Sequence, residues 1–388
     1  MTVPSVNWNY PTAIKAGPGR IKELPHWCRE LGMARPLLVT DPGLAALPMI
    51  GEAVRACRQA GLECGLFHEV KGNPTGRNVD DGVARYREGH HDGVIAFGGG
   101  SALDAAKAIA LMAGQNRPLW DFEDVGDNYL RVNVAGMAPV VAVPTTAGTG
   151  SEVGRASVIT DEAAHVKRII FHARMLPAIV ILDPELTTGL PPKITAATGM
   201  DALSHNLEAY CSPFFHPMAA GIALEGMRII KEYLPQAVAD GADLQARQQM
   251  LVASSMGATA FQRGLGAMHA LAHPLGALYD AHHGMLNAIL MPYVLKANQH
   301  AVAPRLQALA RYLALPDDDN PGAVLDWVLA LRETVGIPHT LADIGINDSE
   351  AERVGRMASE DPSGGTNPVT YTPDQYAELF RAAVRGIL

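Results

Sequence analysis

Cysteine, aromatic side chains and clustered positive charge are all scarce in this sequence, and the first and last of these shortages each remove a class of function. Its four cysteines, Cys28, Cys57, Cys64 and Cys211, form no C-x-x-C pair and no regular framework. That excludes a disulfide-stapled domain and a thiolate zinc site, and leaves reduced thiols packed as small apolar groups. Lys and Arg form no run and the net charge is −9, which argues against nucleic acid as a partner. No apolar stretch reaches the roughly 18 residues that a membrane span needs. Met1-Thr-Val-Pro-Ser-Val-Asn-Trp8 lacks a basic start followed by an apolar core, so no signal peptide and a cytoplasmic location are expected. The dinucleotide fingerprint G-x-G-x-x-G is also missing.

What is present is a chain of 388 residues, rich in Ala, Gly, Val and Leu, long enough for two domains. After a lead-in segment and a helix from Ile21 to Leu31, strands and helices alternate. Pro36–Asp41, Leu62–Val70, Gly93–Phe97, Pro139–Val143 and Leu176–Pro184 read as strands. Gly51–Ala60, Val79–Glu88 and Ala102–Leu111 read as helices between them, a pattern that indicates a parallel sheet. Beyond Pro184-Glu185 strand signals fade. Helices are expected over Met218–Leu234, Leu244–Phe261, Leu265–Tyr279, Gly284–Ala297, Pro304–Leu315, Ala323–Val335 and Pro373–Gly386. The boundary therefore divides an α/β domain, 1–184, from an all-helical domain, 185–388. Asp361–Pro368 resists a helix by composition.

Two loops follow strands in the first half. Gly98-Gly-Gly-Ser101 runs from a strand into a helix. Glycine lets the backbone approach a phosphate, and the helix presents free N–H groups and the positive end of its dipole. Asp104 in the first turn is placed to help cap that helix. Pro144-Thr-Thr-Ala-Gly-Thr-Gly-Ser-Glu152 offers hydroxyl and backbone donors for a second phosphate or ribose contact. Each is by itself only a turn; both at carboxyl ends of strands match where open α/β sheets bind ligands. Lys167, in the strand-like Val166–Phe171, is either a further phosphate or ribose contact or a solvated charge.

The second half carries Asp201-Ala-Leu-Ser-His205, His269-Ala-Leu-Ala-His273 and Ala281-His282-His283-Gly284. A spacing of four puts both members of a pair on one helix face. A lone Asp-x-x-x-His pair arises often by chance and is more often a simple side-chain hydrogen bond than a metal site. A carboxylate and several imidazoles in so apolar a background need partners, and a divalent first-row ion such as Fe²⁺ or Zn²⁺ would be one.

Taken together, Gly98-Gly-Gly-Ser-Ala-Leu-Asp-Ala-Ala-Lys107, Pro144–Glu152, Ala197-Thr-Gly-Met-Asp-Ala-Leu-Ser-His205 and His269-Ala-Leu-Ala-His-Pro-Leu-Gly276 with His283-Gly284 resemble the iron-containing (group III) alcohol dehydrogenases in type and order. The resemblance implies a Rossmann-like dinucleotide-binding domain, an all-helical metal domain and a dehydroquinate synthase-like architecture with a cleft between them. It implies Asp201, His205, His269 and His283 as metal ligands, and His273 as a catalytic histidine beside the substrate. His282 matches no known role. Asp41 falls on an acidic position that disfavours the 2′-phosphate of NADP, which implies NAD. Asn73, Gly99, Gly100, Ser101, Asp104, Thr145, Thr146, Thr149 and Lys167 fall on positions similar to cofactor contacts.

The implied activity is reversible hydride transfer between a primary or small secondary alcohol and NAD at a divalent metal, in a homo-oligomer. Arg263, just before the metal helix, is either a surface or interface residue or the anchor for a carboxylate or phosphonate tail, the former as in an acid semialdehyde or hydroxy acid. Glycerol dehydrogenase, dehydroquinate synthase and maleylacetate reductase are the competing relatives, and a non-enzymatic metal- or nucleotide-binding protein is the competing class.

Overall fold

A computed structural model describes residues 6–8, 12–320 and 322–388. Of the Met1–Trp8 stretch used in the signal-peptide argument, residues 1–5 lie outside the described part. Contacts divide the chain into two compact units: one runs to Thr146 and resumes over Gly150–Gly189, and the other comprises Ala147–Thr149 and Leu190–Leu388.

The first unit is built on a seven-stranded sheet. Its strands are β1 (Val6–Trp8), β2 (Ala13–Ala16), β3 (Pro36–Val39), β4 (Gly65–Phe67), β5 (Gly93–Gly98), β6 (Val140–Pro144) and β9 (Ile179–Leu182). The order is β1-β2-β9-β6-β5-β3-β4, and only β1 runs antiparallel to its neighbour. Every residue of β3, β5, β6 and β9 is buried. Their apolar runs do not alternate because parallel strands are covered on both faces. The helices of this unit are α1 (Leu24–Glu30), α2 (Pro42–Ala45), α3 (Pro48–Gln59), α4 (Gly76–Glu88) and α5 (Gly100–Met112).

The expected α/β pattern holds, with three corrections. The lead-in segment supplies β2, which pairs with β9. The strand expected over Leu62–Val70 is only Gly65–Phe67. The strand holding Lys167, β8 (Val166–Phe171), forms a separate antiparallel pair with β7 (Ala156–Asp161). β7 carries no strand signal of its own, since Ser157, Thr160 and Asp161 dilute its apolar character.

The second unit is helical: α6 (Pro192–Cys211), α7 (Pro217–Ala239), α8 (Leu244–Ala260), α9 (Ala267–Tyr279), α10 (His283–Tyr312), α11 (Ala323–Thr334), α12 (Ala351–Glu360) and α13 (Pro373–Arg385). Every residue of α6 from Thr195 to Cys211 is buried, so this helix is the axis of the unit rather than an amphipathic surface helix. Two expected helices, Gly284–Ala297 and Pro304–Leu315, are one continuous α10 that runs through Pro292 and Pro304. Packing outweighs the local proline penalty there: Val302 and Leu306 are buried on either side of Pro304, and Asn298 is bonded to Asn367. Helix α12 was not expected, and Pro362–Thr366 forms a short 3₁₀ turn inside the expected loop. No helix among the described residues is long and apolar enough to cross a membrane.

Candidate metal centre and cofactor loops

Helix α6 carries Asp201, His205 and Glu208 at successive turns of one buried face. Helix α9 brings His269 and His273, and the first residue of α10 is His283. Gly284 allows the last approach. A Cβ at that position would stand 2.6 Å from the Ala197 carbonyl oxygen and 3.1 Å from the Asp201 Cβ, so only glycine lets α10 begin against α6.

One ligand atom from each of Asp201, His205, His269 and His283 lies within 4.8 Å of the others. His283 Nε2 stands 3.7 Å from Asp201 Oδ1. Asp201, His205 and His269 are buried, and His283 is half-buried. Two of the imidazoles are held by their other nitrogens. His269 Nδ1 is 2.6 Å from Glu208 Oε2, whose carboxylate also accepts the Gly266 and Met268 N–H groups at 2.8 and 2.7 Å. His205 Nδ1 is 3.3 Å from the Gly148 carbonyl. These bonds leave Nε2 of both rings for the interior of the cluster. One carboxylate and three imidazoles, two of them oriented by these bonds, suit a first-row divalent ion, which needs ligand distances of about 2.0–2.2 Å and therefore a slight contraction of the cluster.

Electrostatics set the two imidazoles apart. Burial holds His205 down to about 4, against the pull of Asp201, so it is neutral and ready to donate a lone pair at neutral pH. Burial also opposes charge on His269, but the Glu208 carboxylate overcomes it and raises that group.

His273 is a near neighbour, its ring stacked on His283 at 5.5 Å and edge-on to His269 at 5.9 Å. Its Nδ1 is 2.8 Å from Asp361 Oδ2, while Asp361 Oδ1 accepts the Ser363 N–H. Burial opposes the Asp361 charge, yet the His273 ring and the Ser363 donors hold that carboxyl below its usual range. The Phe261 ring lies 5.4 Å from that of His205 and makes an apolar wall beside the cluster. His282 caps α10, its Nδ1 accepting the Met285 N–H at 3.3 Å. Arg263 is not a surface residue: it is buried, and its Nε donates to the Phe214 carbonyl at 2.7 Å.

In the first unit, the two loops stand side by side at the carboxyl ends of paired strands. Gly98 pairs with Pro144, and the Thr145 N–H donates to the Gly98 carbonyl at 2.9 Å. Gly98 has φ 152°, and a Cβ there would lie 2.7 Å from that of Ala102. The turn therefore needs glycine before α5 can open at Gly100 with Ser101 in its first turn. Asp41, just past β3, caps α2 through the Leu44 N–H, with its other oxygen 3.7 Å from a Cβ built on Gly98. Lys167 Nζ donates to Asn73 Oδ1 at 2.8 Å.

Asp104 does not cap α5; the cap is Gly99, without a side-chain bond. Asp104 instead accepts Ser151 Oγ–H at 2.5 Å and the Val158 N–H at 2.9 Å, with Lys107 3.3 Å away. Thr146 Oγ1 would lie 3.4 Å from a Cβ on Gly99, while Thr149 belongs to the second unit. Glu208 and Asp361 carry no spacing signal relative to the histidines they touch, and Asn287, four after His283, has nothing that separates it from an ordinary buried asparagine; none of the three is expected from the sequence.

Family models match both halves of the chain: "Iron-containing alcohol dehydrogenase" over residues 11–184, and "Fe-containing alcohol dehydrogenase family, C-terminal" over 195–384. The chain belongs to the iron-containing alcohol dehydrogenase family. It is an oxidoreductase, an NAD-dependent alcohol dehydrogenase. It is 39% identical over 386 residues to a 4-hydroxybutyrate dehydrogenase of Cupriavidus necator, covering 97% of this chain and 99% of that protein. An NAD-dependent methanol dehydrogenase of Bacillus methanolicus is 34% identical, with 97% and 100% covered. The solved structure of a 1,3-propanediol oxidoreductase superposes with a TM-score of 0.90 at 35% identity, covering 99% of this chain and all of that one.

Proposed function

We propose that Asp201, His205, His269 and His283 hold one divalent ion, Fe²⁺ first among the candidates, and that the enzyme interconverts small primary alcohols and aldehydes with NAD. The observation that carries this reading is the convergence of the four ligand atoms, with Nδ1 of His269 and His205 already engaged elsewhere. When bound, the ion supplies Lewis-acid polarisation of a substrate oxygen, and NAD accepts or returns the hydride.

The chain's own residues supply the rest. Glu208 keeps the His269 ring in one orientation. Asp361 holds Nδ1 of His273, which leaves Nε2 to take the substrate hydroxyl proton and pass it toward solvent. Phe261 excludes water from one side of the cluster. Gly99, Gly100, Ser101, Thr145 and Thr146 would hold the NAD phosphates, and Thr149 is a further candidate contact. Asn73 and Lys167 would act as a bonded pair, and Asp41 would disfavour the 2′-phosphate of NADP. Asp104 would act through Ser151 and Lys107, since both its oxygens already have donors.

A neutral alcohol is the first reading for substrate, because the Arg263 guanidinium is engaged at the Phe214 carbonyl. An ω-hydroxy acid is the second, supported by the 4-hydroxybutyrate dehydrogenase relative. Rates of NAD reduction with 1-propanol, 1,3-propanediol and 4-hydroxybutyrate, before and after chelation, decide between them. The proposal fails if chelation leaves all three rates unchanged. We place the enzyme in the cytoplasm, as a homo-oligomer; the exposed Phe214, Phe215 and Met218 support self-association.

A further inference from the structure

Asn287 lies on α10 one turn beyond His283 and is fully buried. Its Nδ2 donates to Asp201 Oδ1 at 2.8 Å, and stands 3.1 Å from His283 Nε2 and 3.2 Å from His269 Nε2. An amide nitrogen has two hydrogens, so it cannot serve all three acceptors, and the shortest contact goes to the carboxylate. Turned over, the amide would set its oxygen against Asp201 Oδ1, acceptor against acceptor. The carboxylate therefore fixes the orientation of the amide. The consequence is an unpartnered, buried Asn287 Oδ1. Folded proteins retain such an atom where something else is gained.

What is gained here is a neutral donor on the one anionic member of the cluster. An aspartate in this place would set a second negative charge beside Asp201 with almost no solvent to screen it. A leucine would fill the space and give the carboxylate nothing. Gly284 packs α10 onto α6 at Ala197, so the helix holds Asn287 at a fixed reach from Asp201.

We infer that Asn287 is a positioning residue of the metal centre. Its amide selects the face that the Asp201 carboxylate turns to the imidazoles, and so sets the affinity and coordination geometry of the divalent ion. This rests on the reading that Asp201, His205, His269 and His283 hold that ion.

The test uses the full-length enzyme, stripped of metal and reloaded with Co²⁺ or Zn²⁺. Affinity is measured by competition with a chromophoric chelator, and geometry by the visible absorption of the Co²⁺ form. Asn287→Leu, which keeps the branched shape of four heavy atoms without a polar group, is expected to weaken affinity about 10- to 100-fold and to shift the Co²⁺ bands. Circular dichroism and thermal unfolding of the stripped protein show whether the variant is folded. If Asn287→Leu does not fold, Asn287→Ala carries the same expectation. A folded variant with wild-type affinity and an unchanged Co²⁺ spectrum overturns the inference. So does a lower melting temperature with unchanged affinity, which is what a merely structural role predicts. Wild-type protein that binds no stoichiometric Co²⁺ or Zn²⁺ overturns the metal reading itself, and the two failures are therefore distinct.

Discussion

Glu208 and His269 stand 61 residues apart in the chain and share a 2.6 Å hydrogen bond with both side chains buried. The same carboxylate closes over the first N–H groups of the chain entering α9, through Gly266 and Met268. One acid thus fixes a helix start and the ring orientation of a histidine on that helix. The two roles separate by mutation. Glu208→Gln keeps an acceptor oxygen but removes the charge, and metal affinity is expected to fall about 10- to 100-fold with the fold retained. Glu208→Ala leaves buried donors unpaired and is expected to cost about 3 kcal/mol or more in stability as well. Chelator competition and denaturant unfolding measure the two effects.

The His273–Asp361 pair predicts a loss of turnover without loss of metal. His273→Ala is expected to lower kcat about 100-fold or more while metal content stays at the wild-type level. Asp361→Asn, which keeps the shape but not the charge, is expected to give a smaller loss in the same direction. Full activity in His273→Ala would remove its role as proton acceptor.

Acid sensitivity follows from His205. Its folded value of about 4 lies below the ordinary 6.5 of an unfolded histidine. Between those pH values the unfolded chain binds the extra proton, so this residue's contribution to stability falls as pH drops from 6.5 towards 4, by up to about 3 kcal/mol. His269, which is raised, acts with the opposite sign: its contribution is complete below 6.5 and is lost as pH rises through its folded value. Comparing His205→Asn with wild type, both metal-stripped, isolates the first effect. The difference between their unfolding free energies should change with pH over 4–6.5 and level off above it.

In the first unit, cofactor choice and affinity should separate from metal. Lys167→Ala breaks the bond to Asn73 and is expected to raise KM for NAD about tenfold. Asp41→Ser keeps a cap for α2 but removes the charge next to the Gly98 turn, so kcat/KM with NADP should rise relative to NAD. Metal content should not move in either variant.

Much of this was legible in the chain. Asp201 with His205, and His269 with His273, show a spacing of four that only a helix turns into a common face, and α6 and α9 do so. The Gly98 turn and the Thr145 loop show as glycine and hydroxyl runs after apolar strands. The partners of those residues were not legible. Glu208, Asn287 and Asp361 touch their histidines across 61, 4 and 88 positions, and even the short one has no pattern that separates it from an ordinary buried asparagine. Arg263 is open in the sequence between a surface or interface position and a substrate anchor, and only the fold shows it buried, with its Nε donating to the Phe214 carbonyl between α6 and α7. The split of α10 at Pro304 failed for a related reason, since proline is a local signal and Val302, Leu306 and Asn298 are held by distant packing.

Metal content of His269→Ala beside wild type, each purified without added metal and assayed for alcohol-linked NAD reduction, tests the central claim most directly. Stoichiometric divalent metal and chelator-sensitive turnover are expected in wild type, with loss of both in a folded His269→Ala. A His269→Ala enzyme that keeps stoichiometric metal and wild-type turnover would contradict that claim.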